Sequence, residues 1–289
     1  MPLCEVSSVL EASLPNWTAD LQLRFVYQDN RTVMTERRHT GPLQVQKPLY
    51  PEGRSVCHAV VLHPPGGMAE GDSVEVRVVQ EGEAKTVLST PAASKWYKSR
   101  DRFARQEVWI RLGAGAQLDW LPQESILFES SRVETRFRLE LAEDASAAGW
   151  DVVVLGRRAK GEKWESGEYR STTEFVRSTG ELLWAERANF MAFSGIRYAP
   201  QGLGSFPIFG TLWAVGQNCT SELAQRLATQ LPFTDNLRAG VTCLPNGVIV
   251  LRALAQKIEP LRHLLIECWS TMRPVVHGRS AKRLRLWAT

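Results

Sequence analysis

The residues best equipped for chemistry fall in two groups: a proline- and glycine-rich loop, and several carboxylates on strand faces that ought to be dry. The loop is His63-Pro64-Pro65-Gly66-Gly67-Met68-Ala69-Glu70-Gly71-Asp72. Its prolines stiffen an extended entry, and its glycines permit positive φ and close approach of another chain or ligand. A glycine-rich loop after a strand suggests phosphate binding. Here the Gly-x-x-x-x-Gly-Lys-Ser/Thr pattern is missing, and Val74–Val79 reads as strand, so no helix N-terminus follows to hold an anion. His63, Pro64, Pro65, Gly66 and Gly67 are therefore read as a structural loop. Cys57, His58, His63 and Asp72 offer soft, borderline and hard metal ligands close in sequence. The odd spacing of His58 and His63 aims them at opposite faces of a strand, which argues against a preformed site. His63, Asp72 and Ser89 compose a hydrolase triad on paper, but no Gly-x-Ser-x-Gly nucleophile elbow occurs. The chain is read as a non-enzyme, with that hydrolase as the alternative.

The carboxylates are more telling. Asp151, in Trp150-Asp-Val-Val-Val-Leu-Gly, shares a face with Val153 and Leu155. Glu186 stands in line with Leu182, Trp184, Ala188 and Phe190, and Asp119 with Leu121. A buried carboxylate without a partner is strongly unfavourable. Each must pair with an arginine of a neighbouring strand, take up a proton or meet water. Together they point to a hydrated internal passage lined by acids, whose oxygen ligands hold a divalent metal loosely enough to hand it on.

The elements that position these residues follow a period of two. Leu21, Leu23, Phe25 and Tyr27 alternate with other residues, as do Val74, Val76 and Val78, and Val108, Ile110 and Leu112. Val133, Thr135, Phe137, Leu139 and Leu141 face one way while Glu134, Arg136, Arg138 and Glu140 face the other. Such alternation marks half-buried strands. Turn signals recur at Glu81-Gly82, Gly113-Ala-Gly, Ser178-Thr-Gly and Pro245-Asn-Gly. The first 215 residues read as many short strands, in a sandwich or a stacked β-helical array. Two helices come late. One opens at Thr220/Ser221 and spaces Leu223, Leu227 and Leu231 four apart. The other runs from about Glu259 to Met272, with one apolar face, and tolerates Pro260 in its first turn. No internal repeat is evident, so residues 1–289 are read as one domain: a β-rich body over 1–215, then two helices, strands and a basic tail over 216–289.

Composition is that of a soluble globular chain, with 44% hydrophobic and 23% charged residues. The net charge of +4 comes from the tail, where Arg273, Arg279, Lys282, Arg283 and Arg285 stand without an acid. That tail is read as a solvated or partner-docking end; the rival is a binder of nucleic acid or acidic membranes. The body lacks the basic face of a nucleic-acid binder. The five scattered cysteines suggest neither a disulfide framework nor a zinc site. Met1–Asp20 lacks a leader pattern and no apolar run approaches the roughly 20 residues of a membrane span. We expect a cytoplasmic protein, on which the glycosylation sequons at Asn16 and Asn30 are chance matches.

Certain segments, in order, resemble the UreD (UreH) family of urease accessory proteins. They are Gly41-Pro-Leu-Gln-Val-Gln-Lys-Pro-Leu-Tyr-Pro-Glu-Gly53, Cys57–Gly67 with Gly71-Asp72, and Ser89–Tyr97 with Gln106-Glu-Val. Further on are Leu118–Phe128, Gly149–Arg157 and the closing Leu286-Trp-Ala-Thr289. Departures occur at Ala69-Glu70, Ala92-Ala93 and Leu284-Arg285. The resemblance implies a mainly β fold of stacked, β-helix-like sheets with about two helices near the C-terminus. It implies a non-enzymatic chaperone and scaffold that docks on apo-urease, recruits UreF and the GTPase UreG, and passes nickel through a water-filled route. It also implies that no cofactor is permanently bound, nickel being in transit. The positions resembling the family's polar path are Asp72, Ser94, Asp151 and Glu186. Two of them, Asp151 and Glu186, are acids that strand periodicity singles out independently.

Overall fold

The computed structural model describes residues 17–288. Cys4, the Asn16 sequon, most of the stretch inspected for a leader and the final Thr289 lie outside the described residues. The strands begin with β1 (Thr18–Gln28), β2 (Arg31–Thr40), β3 (Gln44–Val45), β4 (Val56–Leu62), β5 (Gly67–Met68) and β6 (Ser73–Glu81). They continue with β7 (Lys85–Ser89), β8 (Ser94–Trp96), β9 (Ala104–Leu112), β10 (Gln117–Leu121), β11 (Ser125–Leu127) and β12 (Ser131–Leu141). Last come β13 (Ser146–Leu155), β14 (Gly167–Arg177), β15 (Leu182–Met191), β16 (Ile208–Val215), β17 (Leu237–Leu244) and β18 (Val248–Ala255). Helices α1 (Ser221–Ala228) and α2 (Ile258–His277) flank the last hairpin.

The strands stack in coils. A seven-stranded sheet runs β15-β14-β12-β9-β6-β1-β2, with every inner pair from β14 to β1 parallel. A second sheet runs β17-β18-β16-β13-β10-β7-β4-β3, parallel from β13 to β4 and antiparallel beyond. Short β5, β8 and β11 make a third side. Each coil thus places one strand in each sheet and returns in register, Ser73 pairing with Arg105 and Arg105 with Glu134. This is the expected β-helix-like stacking, and it corrects the impression that nothing repeats: the coil repeats in space without repeating in sequence.

The alternation has the expected cause. Leu21, Leu23 and Phe25 of β1, Val74, Val76 and Val78 of β6, and Val108, Ile110 and Leu112 of β9 turn into one core between the sheets. The outer face of the seven-stranded sheet carries cross-strand ion pairs such as Arg105–Glu134 and Arg138–Glu174, both 2.9 Å. The second sheet is buried on both faces, which is why β13 reads Ser-Ala-Ala-Gly-Trp-Asp-Val-Val-Val-Leu with scarcely a polar break. Its far face packs on the two helices in a second core containing Trp150, Leu223, Leu265 and Trp269.

Thr220 caps α1, accepting the Leu223 N–H. Helix α2 outruns its expected end at Met272 and continues past Pro274 to His277. The extension is explained by its cargo. Trp269, Arg273 and His277 lie four apart on one face and close around Asp119 of β10, which is fully buried. Trp269 Nε1 donates at 2.8 Å and Arg273 Nε at 2.9 Å, and His277 Nε2 lies 3.4 Å away. Burial works to raise the Asp119 pKa, but nearby His277 and then Arg273 outweigh it and hold the carboxyl well below the ordinary range. Arg273 also grips Glu52 through two bonds of 2.7 and 2.9 Å, and His58 Nε2 sits 2.7 Å from the same carboxylate.

The reading of the basic tail is corrected at Arg273. Arg273 is entirely buried, Lys282 donates to the Pro51 carbonyl and Arg283 pairs with Glu267. Arg273 thus belongs to an internal network, whereas Lys282, Arg283 and Arg285 stay exposed, as expected of a solvated end. Among the described residues no helix is long and apolar enough to cross a membrane.

Candidate metal passage

A cavity of about 210 Å³ runs crosswise between the two sheets. At one end it is lined by His63, Gly66, Ser94 and Gln106; at the other, by Glu186, Thr211 and Arg252. Asp151 lies between. Two sheets whose inward faces were all large and apolar would close on each other. Here a row of short polar side chains keeps them apart. On the seven-stranded sheet Gln106, Thr135 and Ser171 are neighbours in register, and Thr173 pairs with Glu186. On the facing sheet Asp151 pairs with Thr211, and Thr211 with Arg252. Gly149, two residues before Asp151 on the same face, is required by its neighbours. A Cβ there would lie 2.5 Å from the Trp120 carbonyl oxygen and 2.6 Å from the Trp213 ring.

Asp151 is exposed to a water-sized sphere, yet it sits mid-strand with protein on every side; the surface it presents is that of the cavity. Burial, and then the negative charge of Glu186, raise its carboxyl to about 6 against an opposing backbone hydrogen bond from Val152. Its charged form is therefore disfavoured by folding. Stability falls as pH rises from the ordinary aspartate value near 4 through about 6, because over that window the folded state holds the extra proton. The same proton competes with a bound cation. Binding of a divalent cation should weaken as pH drops through about 6, and Asp151→Asn should remove that inflection; calorimetric titrations across this range measure both.

Glu186 is half-buried and meets Arg252 in a two-pronged ion pair. It lies on the inward face with Trp184, Ala188 and Phe190, as expected. Leu182 does not: the register slips between Phe175 and Val176 of the partner strand, so Leu183 turns inward and Leu182 outward. Tyr169 adds a buried hydroxyl whose pKa is raised by burial and then by the charge of Asp151.

The expected site residues divide. Ser94, Asp151 and Glu186 line the cavity with His63 and Gly66. Asp72 does not. Its Oδ2 accepts the Ala69 N–H at 2.7 Å and closes the turn beyond β5. It still acts on the mouth electrostatically, since burial lowers the His63 pKa while Asp72 opposes that shift. Pro64 and Pro65 are exposed on the loop, and Gly67 is pressed against Tyr97, whose ring would lie 2.5 Å from an added Cβ. The hydrolase set is not assembled. Ser89 is buried on β7 and donates to the Leu121 carbonyl at 2.6 Å, away from the cavity that His63 lines.

Cys57 faces the inter-sheet core, where burial pushes its thiol to about 11, so a thiolate ligand is not offered near neutrality. Among the described residues no three His, Cys, Asp or Glu side chains gather as a metal-holding cluster. Asp151 and Glu186 are two carboxylates lining one cavity, and Asp72 stands outside it. Thr135, Ser171, Thr173, Thr211 and Arg252 are lining residues that sequence reasoning missed. Tyr169, Ser171 and Thr173 alternate along β14, so the face rule that revealed Asp151 also applies to them.

The family model described as UreD urease accessory protein matches residues 18–288. The chain belongs to the UreD family. It is 51% identical over 277 residues to the urease accessory protein UreD of Cupriavidus necator, covering 94% of this chain and 95% of that one. The UreD proteins of Ralstonia nicotianae and Bordetella pertussis are 49% and 40% identical, over 95% and 97% of this chain and 95% and 100% of theirs. As a UreD-family member the chain is a urease accessory protein with a part in urease maturation.

Proposed function

We propose that this chain is a cytoplasmic scaffold and conduit for nickel. It docks on apo-urease, recruits UreF and through it the GTPase UreG, and conveys nickel along the passage past Asp151 and Glu186. It turns over no substrate, holds no permanent cofactor and engages neither nucleic acid nor membrane. The observation that carries this reading is Asp151: a carboxylate inside the fold, facing a cavity, whose charge folding disfavours. A residue that lowers stability where it stands is retained for another purpose. Two acids in succession suit a cargo that must be bound and released, since oxygen donors hold nickel less firmly than thiolate or imidazole sets do.

The test is co-expression of the tagged chain with the urease subunits, UreF and UreG. Asp151→Ala and Glu186→Ala should each lower the nickel incorporated into urease on the order of tenfold, while co-purification with the partners stays unchanged. The Asp151 variant should fold at least as stably as the native chain at neutral pH, because it removes a disfavoured charge. Full nickel incorporation in both variants would refute the conduit.

A further inference from the structure

Glu186 and Arg252 meet where the two sheets part. Glu186 is on β15, an edge of the seven-stranded sheet, and Arg252 is on β18, one strand in from the edge of the other. Each guanidinium Nη faces one carboxylate oxygen, and Nη1 also reaches Thr211 Oγ1 at 3.4 Å. A bidentate guanidinium satisfies a carboxylate unusually well. Yet the pair is accessible, with 51% of the Arg252 side chain and 29% of the Glu186 side chain exposed. Ion pairs so exposed contribute little net stability and are readily exchanged. Asp151, by contrast, holds only a backbone hydrogen bond from Val152. A cation moving along the passage therefore meets one ready carboxylate and, one sheet across, one already occupied.

We infer that Arg252 is a displaceable latch on the passage, holding the Glu186 carboxylate until a divalent cation seated at Asp151 exchanges for it. The inference rests on the conduit reading and adds a selection step. A monovalent cation brings no more charge than the guanidinium it must displace. A divalent cation brings twice as much, and Glu186 is close enough to act on Asp151 through its charge. No covalent bond changes: the guanidinium leaves through its exposed side, and the cation takes its place.

Nickel binding to the full-length chain, measured by calorimetry in buffer free of chelating components, tests the latch. Arg252→Gln should tighten nickel binding about tenfold, since a competing positive charge is removed from a half-exposed site. The gain should vanish in Glu186→Gln/Arg252→Gln. Arg252→Lys, which keeps the charge but loses the two-pronged grip, should tighten binding about threefold and serves where the glutamine variant does not fold. No gain in either single variant, or a gain that survives Glu186→Gln, would overturn the latch. Should the gain appear while urease activation proves indifferent to Asp151, the latch stands and the conduit falls. Should Asp151→Ala block activation with no gain from Arg252→Gln, the latch alone falls.

Discussion

Asp119→Ala should lower the free energy of unfolding by about 3–5 kcal/mol, the range for removing one partner of a buried ion pair. The alanine leaves the Arg273 Nε and Trp269 Nε1 donors without their acceptor in a site from which water is excluded. Arg279, whose guanidinium lies 4.0 Å from the same carboxylate, loses its nearest acid. The loss propagates because Arg273 also joins Glu52, next to the first coil, to the Ser280 carbonyl beyond α2. Asp119→Leu/Arg273→Met removes both members of this pair but leaves Glu52 with His58 alone and Arg279 without its acid, so it should recover only part of the stability. Urea unfolding followed by circular dichroism measures both variants. A loss below about 1 kcal/mol for Asp119→Ala would show that α2 is held by apolar packing alone. The network also predicts an acid limit. Burial would raise the Glu52 carboxyl, but hydrogen bonds from His58 and Arg273 hold it at about 2. Its contribution is complete above its ordinary pKa near 4.5 and is lost as pH falls towards 2.

What could be read from the chain, and what could not, follows the range of the interactions involved. A strand's own alternation is local, so the inward faces of β1, β6, β9 and β12 were legible, and with them Asp151 and Glu186. Coil stacking was not: Ser73, Arg105 and Glu134 share a rung without sharing a residue type. Leu182 was misplaced because the register slip that turns it outward is a property of the pairing with β14, invisible in β15 alone. The expected end of α2 falls short because the apolar periodicity that marks the helix runs only to Met272, while the helix itself continues through Pro274. What carries the helix through it is Asp119, more than 150 residues earlier in the sequence, waiting for Arg273 and His277. For the same reason Arg273 and Arg279 look like part of a solvated tail: their counter-charge, Asp119, lies far back in the chain. Arg252 was passed over because an arginine on an otherwise apolar strand has no visible partner until the sheets face each other. The hydroxyls of Ser171 and Thr173 were legible in principle. They drew no attention because, unlike a carboxylate, a hydroxyl on an inward face needs only one neighbour to satisfy it.

The central claim, that cargo moves between the sheets, is tested most directly by plugging the route without touching its acids. Ser171 lines the cavity from β14, flanked in register by Thr135 and Ala188, with its side chain hydrogen-bonded to Tyr169 at the cavity wall. Ser171→Trp places a large ring in a cavity of about 210 Å³ and leaves the outer surface, both acids and the Asp119 network as they are. A cavity takes up added bulk that a packed core would reject at about 1–3 kcal/mol. The variant should therefore fold, show a thermal midpoint close to the native one and co-purify with urease and its accessory partners. The measurement is the nickel content of urease matured with Ser171→Trp in place of the native chain. The expected result is a loss of nickel at least as large as that from Asp151→Ala, with complex formation intact. Normal nickel content in a complex carrying the plugged chain would contradict the account, because the metal would then have reached urease by some other way.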